Sequence, residues 1–403
     1  MKILITADWH IGKKLHNEDL SEDLQLFFEW LLKTIEEASI NYLLVAGDVF
    51  DHNNPSNEST KIYYSFLQRL SRLNCKAIII AGNHDSPSFI DVPRELLAAF
   101  DIQVFGMFPG IDNVSKIFVP LKDDEGNTVA VVAAIPFLQD RFIRQVGEGE
   151  GAKEIAEKIK QGMQLVMAQI GEAVKMEYPN IPSIGMAHLH AQGAEMSEAE
   201  RDIQIGNQEG VPASHLAHFD YLALGHIHTG QSVIKGKIQY ASSPISLGFS
   251  ENKYHHKVVQ LAIEESTIQE TFITVPKNRS LYQLSGTMDQ IEIQIKSLHN
   301  KYSLPALLDI KIQEATFNPT IQDKLTALKT ELAKQQNMKI VNTRIIFDDK
   351  AAQRFSTTFN PNELNELHPI KVVEELIPAS TAENEKQQLI ELFSQIYADV
   401  NQA

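Results

Sequence analysis

Five short apolar runs in this chain finish on residues that can bind a metal ion. In chain order they end in Asp8-Trp9-His10, Gly47-Asp48, Gly82-Asn83-His84-Asp85, Ala187-His188 and Gly225-His226-Ile227-His228. A sixth run, 129–135, ends in Pro136-Phe137-Leu138 and brings no such residue. Short continuous apolar runs of this kind read as strands buried on both faces. In open α/β sheets the loops at the C-terminal ends of such strands hold the ligand. The pattern therefore restricts the chain to an α/β architecture with its chemistry gathered along one edge of the strands.

The remaining periodicity fits that frame. Strands are expected at 2–7, 41–47, 76–81, 129–135, 183–187 and 219–224. Between the first two, Leu24, Phe27, Phe28, Leu31, Leu32 and Ile35 repeat at helical spacing, and 60–73 does the same between the second and third. A longer helix is expected from about 152 to 176, with Ile155, Ile159, Met163, Val166 and Ile170 on one face. Strand-like segments at 231–235, 237–242, 257–263 and 269–275 are expected to finish a second sheet, giving a two-sheet layered α/β domain over 1–275. A linker at 276–280 leads to a small α/β domain over 280–347. There Met288, Ile291, Ile295 and Leu298 form one helical stripe, and Ile321, Leu325, Leu328 and Leu332 another. Strands are expected at 308–312 and 340–347. Beyond a polar stretch at 350–362, helices are expected at 369–377 and 383–399. Over 361–403 eight acidic residues (Glu363, Glu366, Glu374, Glu375, Glu383, Glu385, Glu391, Asp399) face two basic ones (Lys371, Lys386). Such an acidic amphipathic tail suits a protein groove better than a DNA backbone.

With 43% apolar and 22% charged residues, the 403-residue chain has the composition of a soluble globular protein. Its single cysteine, Cys75, excludes an internal disulfide. No uninterrupted apolar stretch reaches 18 residues, so no membrane span is expected and the cytoplasm is the default location. A net charge of −16 argues against broad, sequence-independent DNA binding by the chain alone, since phosphates must be neutralised by Lys and Arg. A local basic rim or a partner protein can still supply that surface.

Seven residues form the expected ligand set: Asp8, His10, Asp48, Asn83, His188, His226 and His228. In extended backbone, residues i and i+2 face the same way, which would aim Asp8 with His10 and His226 with His228. Seven oxygen and nitrogen ligands suffice for two divalent ions if one carboxylate bridges. Without a thiolate, manganese is favoured first, then iron, magnesium or zinc. Two adjacent ions bind a phosphate ester, activate water and stabilise the leaving oxygen. His84 is outside the ligand set and is the candidate proton donor; Asp51 is expected to orient it through a hydrogen bond. His52, His190, His215, His218, His255 and His256 gain no role from their spacing. Lys13 and Lys14 either touch a phosphate or lie on a solvated loop.

These motifs resemble those of the calcineurin-like metallophosphoesterases: D-x-H at 8–10, G-D-x-x-D at 47–51, G-N-H-D at 82–85, His188, and G-H-x-H at 225–228. Longer words resemble a narrower branch, the bacterial DNA nuclease subunits that work with a coiled-coil ATPase of the SbcC type. They include Asp8-Trp9-His10-Ile11-Gly12, Val45–Asp51, Ile135–Leu138, Arg201–Gly206, Phe219–His228 and Ser243-Pro244-Ile245. The likeness covers about 1–275; beyond it, length and pattern match better than sequence. It implies a two-sheet metallophosphoesterase sandwich, a capping domain at 280–347, and C-terminal helices at 361–403 that dock on the ATPase. It also implies a manganese nuclease acting 3′ to 5′ on double-stranded DNA ends and opening hairpins, with two copies in a heterotetramer. One metal would be held by Asp8, His10, Asp48 and His228, the other by Asp48, Asn83, His188 and His226, with His84 catalytic. Two positions depart from common patterns: Ser242 stands where the branch usually has Gly before Ser-Pro, and Asp51 stands where archaeal relatives often carry His. The competing readings are a phosphodiesterase or phosphatase for a small nucleotide or phosphoester, and a non-catalytic scaffold for an ATPase.

Overall fold

The apolar runs become strands because each side of them meets another apolar layer. A computed structural model describes residues 1–143, 151–196, 210–314, 320–347, 377, 381 and 383–401. In the first sheet Lys2–Thr6 (β1), Tyr42–Ala46 (β2), Lys76–Ile80 (β3) and Ile102–Phe105 (β4) run parallel as neighbours. The second sheet contains Phe118–Lys122 (β5), Thr128–Ile135 (β6), Ser183–His188 (β7), Tyr221–Gly225 (β8), Ser232–Ile234 (β9) and Ile238–Tyr240 (β10), in the order β9-β10-β8-β7-β6-β5.

Lys257–Glu264 (β11) and Thr267–Thr274 (β12) do not join the second sheet, contrary to the expectation from their spacing. They return to the first, whose order is β12-β11-β1-β2-β3-β4, with β11 antiparallel to β1 through pairs such as Ile3↔Leu261. The reason is packing. Val259, Leu261 and Ile263 continue the inward face of β1 into the core between the sheets, while Val258 faces the helix layer. β4 and β5 are further strands that the apolar pattern did not mark.

Alternation along the strands builds two cores. Ile3, Ile5, Leu44, Ala46, Ile78 and Ile80 meet the second sheet, while Leu4, Leu43, Val45, Ala77 and Ile79 meet Ser21–Ala38 (α1) and Asn57–Leu70 (α2). α1 turns out of its last turn through left-handed Ser39 (φ 53°), and α2 starts where Ser56 accepts the Ser59 N–H. Two short helices follow β3, Pro87–Asp91 (α3) and Arg94–Ala98 (α4), and Ala152–Glu177 (α5) packs Met163, Met167, Ile170 and Val174 into the inter-sheet core.

The contacts divide the chain into two units: 1–282 with 300–309 and 336–341, and 283–299 with 310–335 and 342–403. The boundary passes through a three-stranded sheet, Leu281–Gly286 (β13), Ala306–Glu314 (β14) and Met338–Phe347 (β15), rather than falling at 276–280. In the second unit Met288–Ser297 (α6) opens on a capping box between Thr287 and Gln290, and Lys324 of Thr320–Gln335 (α7) pairs with Asp289 at 2.7 Å. The expected helix at 383–399 is Glu383–Asn401 (α8). The one expected at 369–377 lies outside the described residues apart from Ile377, as do 350–362 and Arg201–Gly206. No described helix is long and apolar enough to cross a membrane.

Cys75, just before β3, is 4% exposed, and burial pushes its thiol up to about 12. Because the thiolate is the nucleophile, the native chain is expected to resist a thiol reagent at pH 8 and to react once unfolded in guanidinium. Rapid labelling of the native protein would contradict this burial.

Candidate metal centre

The loops after β1, β2, β3, β7 and β8 meet at one edge of the sandwich. Asp8 and His10 are not presented by extended backbone. Asp8 (φ 52°), His10 (φ 45°), Asp48 (φ 48°) and His226 (φ 99°) all occupy the left-handed region, which for non-glycine residues costs on the order of 1–3 kcal/mol each. Neighbouring loops hold them there. Asp8 N–H donates to the Gly47 carbonyl at 3.0 Å, His10 N–H to the Asp48 carbonyl at 3.0 Å, and His226 N–H to Asp8 Oδ1 at 2.9 Å. Gly82 is needed for close approach, since a Cβ there would collide with the Asp48 carboxylate and amide. Between the two ligand candidates after β1, Trp9 points the other way and sits edge-on to Phe28 (4.9 Å) and Phe66 (5.2 Å) in the helix layer.

Asp48 is the shared element. His10, Asp48 and His84 offer ligand atoms within 4.8 Å of one another, and so do Asp48, His188 and His226. Asp48 Oδ2 lies 3.3 Å from His188 Nε2 and 3.5 Å from His10 Nε2, and Oδ1 accepts the His84 amide at 2.9 Å. Asn83 Oδ1 lies between His188 Nε2 (3.0 Å) and His226 Nδ1 (2.9 Å). His188 Nδ1 is held by the Ala46 carbonyl at 2.9 Å, which leaves Nε2 for the site. His228 lies against His10, ring centroids 5.1 Å apart.

The electrostatics suit cation binding. Burial opposes ionisation of Asp48, but His188 and His10 outweigh it and hold the carboxyl well below its ordinary range. Burial lowers His10 to about 4 and His226 to about 3, so both are neutral imidazoles at pH 7. His188 goes the other way: against burial, the Asp48 charge raises it to about 9. Burial lifts Asp8 to about 7 despite the nearby His188 and His228.

The expected bond between Asp51 and His84 exists, but through different atoms. His84 Nδ1 is 2.9 Å from the Asp51 backbone carbonyl. The Asp51 carboxylate instead meets His10 Nδ1 at 3.2 Å and Lys13 Nζ at 3.1 Å, so Lys13 is tied to this carboxylate. The carboxyl is held below its ordinary range, burial being overcome by His10 and Lys13.

Two residues of the site were not foreseen. Glu251, fully buried in the turn Phe249–Lys253, lies 2.8 Å from His228 Nδ1 and fixes that ring; nothing in the periodicity marks a carboxylate so far from its partner. Asp85 accepts N–H bonds from Gly82 (2.8 Å), Val49 (3.1 Å) and Phe50 (2.8 Å), stapling the β3 loop to the β2 loop; its place in the G-N-H-D word was the available signal. His190 lies at the periphery, its ring 6.4 Å from that of His226, and is in neither cluster.

Comparison with known proteins identifies this arrangement. Residues 1–230 match the family model for calcineurin-like phosphoesterases. Over 347 residues the chain is 31% identical to SbcD, the smaller component of the nuclease SbcCD, from Escherichia coli K12, covering 82% of this chain and 83% of that one. The chain belongs to the calcineurin-like phosphoesterases, in the SbcD family. The SbcD protein of Rhodobacter capsulatus is 34% identical over 272 residues, covering 65% of this phosphoesterase and 66% of the relative. Among solved structures, a dimetal phosphatase from Danio rerio aligns over 68% of this chain and 99% of its own, with 10% identity and a TM-score of 0.39.

A metallophosphoesterase requires divalent metal ions, and the residues present fit them. Asp8 Oδ2 and His10 Nε2 are buried without a hydrogen-bond partner, a condition that costs about 1–3 kcal/mol per group unless something else satisfies it. The donor set is all oxygen and nitrogen, which suits hard or borderline divalent ions. Because Glu251 orients His228, replacing it with Ala is expected to weaken manganese binding by roughly 10–100-fold, measured by titration calorimetry, with Glu251→Gln less affected. Unchanged affinity in Glu251→Ala would remove the residue from the metal centre.

Proposed function

We propose that this phosphoesterase is the nuclease subunit of an SbcCD-type complex in the cytoplasm. It hydrolyses phosphodiester bonds at double-stranded DNA ends in the 3′ to 5′ direction and opens hairpins, under ATP-dependent control by an SbcC-type coiled-coil ATPase. The observation that carries this reading is the pair of cation clusters sharing one buried carboxylate, with a further imidazole held beside them; the nuclease relatives supply the substrate class. Asp8, His10, Asp48 and His228 would hold one ion, and Asp48, Asn83, His188 and His226 the other, manganese being the favoured metal. When bound, the ions supply Lewis-acid activation of water and neutralisation of charge on the phosphate.

The chain's own residues do the rest. Asp48 fixes the spacing of the two ligand groups, and Asn83 joins His188 to His226. His84 is anchored at Nδ1 by the Asp51 carbonyl. In its protonated form it gives the Nε2 proton to the leaving oxygen and returns to neutral imidazole. Asp51 acts on His10 and Lys13 with its carboxylate and on His84 with its backbone.

Val92 (84% exposed), Leu96 (65%) and Phe100 (51%) follow one another at intervals of four along α3, α4 and the next turn. A cluster of large apolar side chains in water favours association, and it supports a homodimer within the complex. On α8, exposed Leu389 and Leu392 support docking of the tail on the ATPase, with 280–347 as the capping domain and 361–403 as the partner-binding segment.

His84→Ala is expected to lower manganese-dependent cleavage of end-labelled linear duplex DNA by about 10²–10⁴-fold while manganese still binds. Retained cutting would take His84 out of the mechanism. Turnover of a small phosphodiester with no DNA cleavage, with or without the ATPase and ATP, would discard the DNA substrate. Leu96→Asp is expected to convert a dimer to a monomer in analytical ultracentrifugation without lowering the melting temperature. A dimer that survives the change uses another surface.

A further inference from the structure

The first unit has a cavity of about 260 Å³ whose lining includes Asn252, Tyr254, Lys277, Arg279 and Tyr302. Arg279 is already neutralised: its Nε lies 2.9 Å from both oxygens of Asp23, and it donates again to the Pro305 carbonyl. Lys277 is not. Its ammonium donates to the Asn252 carbonyl at 2.6 Å and to Asn252 Oδ1 at 2.8 Å, two uncharged acceptors. An ammonium has three N–H donors, so one remains. Lys301 brings a second ammonium to the same place. Both lie over the ring of Tyr302, at 5.8 Å and 5.4 Å from its centre, and neither has a carboxylate partner among the described residues. Burial lowers the Lys277 pKa, and repulsion from Lys301 lowers it further. In a chain of net charge −16, two ammonium groups held together on one aromatic ring, without a counter-charge, mark a place for an anion.

The cavity also reaches the metal centre through one turn of chain. Phe249–Lys253 turns Glu251 inward to His228 and places Asn252 against Lys277. Asn252 Oδ1 additionally accepts the Leu281 N–H at 2.8 Å. The turn that orients one ligand candidate thus also positions the lysine.

We infer that Lys277 and Lys301, held on Tyr302 at the mouth of this cavity, bind a phosphate of a nucleic-acid strand. The inference rests on the nuclease reading and deepens it by placing a strand contact away from the reacting bond. The volume falls just below the ~300–1,000 Å³ of typical small-ligand pockets, so it accommodates one nucleotide unit and not a duplex. Basic side chains interleaved with aromatic ones are the usual equipment for tracking a single strand.

The test uses the full chain in EDTA, where nothing is cut. Fluorescence anisotropy follows a labelled oligothymidylate of about fifteen nucleotides across a range of salt concentrations. Lys277→Gln combined with Lys301→Gln is expected to weaken binding about tenfold and to flatten the log–log salt dependence by about 1.4, since each single-strand phosphate contact contributes about 0.7. Lys277→Arg with Lys301→Arg should keep the wild-type slope, which separates charge from folding. Equal slopes for wild type and the Gln variant would overturn the inference. So would a 5′-mononucleotide that binds wild type but not the Gln variant while oligonucleotide affinity is equal in both; the cavity would then serve a free nucleotide. If wild type cuts duplex DNA with manganese yet the Gln variant binds normally, only this subsite fails. If wild type neither binds nor cuts DNA, the nuclease reading fails with it.

Discussion

A carboxylate with 2% exposure cannot stay ionised in a protein interior without positive or hydrogen-bonding company, and Asp48 sets that condition for the rest of the site. His188, His10 and the His84 amide crowd around it, and each arrives on a different loop. The two sheets exist, in this sense, to bring five strand ends to one acidic oxygen pair. Buried apolar strands give the loops a rigid base. The loops then hold Asp8, His10, Asp48 and His226 in backbone conformations that side chains normally avoid. Strain of this kind persists only where surrounding contacts over-determine it, and the cross-loop amide bonds and the Asp85 staple do so here.

Much of this is legible in the residues alone. An apolar run with a ligand at its end can be read because strand burial and loop function are both local in sequence. The whole set of candidates, Asp8 to His228, lies at or beside the metal centre. Their aim has a different cause from the one the spacing suggests, however. The i, i+2 rule assumes extended backbone, and the left-handed turns at Asp8 and His10 replace it. Likewise Asp51 supports His84 with a main-chain oxygen, a group every residue possesses and no motif can reveal.

Long-range partnership was the illegible part. Glu251 and His228 are 23 residues apart, joined by a turn with no periodic signature. β11 and β12 alternate as strands in either sheet, and only their pairing with β1 decides which one they enter. Arg279 and Asp23 are separated by 256 positions, yet their buried ion pair fixes the chain where it leaves the sandwich. Removing one partner of such a pair leaves a buried charge uncompensated, so this contact governs the path of 276–280 more than its Pro and Asn content does.

The antiparallel pairing of β1 with β11 has a consequence for the order of assembly. The Met1 ammonium donates to the Ile263 carbonyl at 3.0 Å, and the Ile263 amide returns a bond to Met1 at 2.9 Å. During synthesis β1 emerges first but lacks this neighbour until some 260 residues later. Until then the strand that carries Asp8 and His10 is an open edge, with unpaired amides available to any other strand. The nascent chain therefore keeps its first two metal-binding candidates on an unfinished sheet for most of its translation.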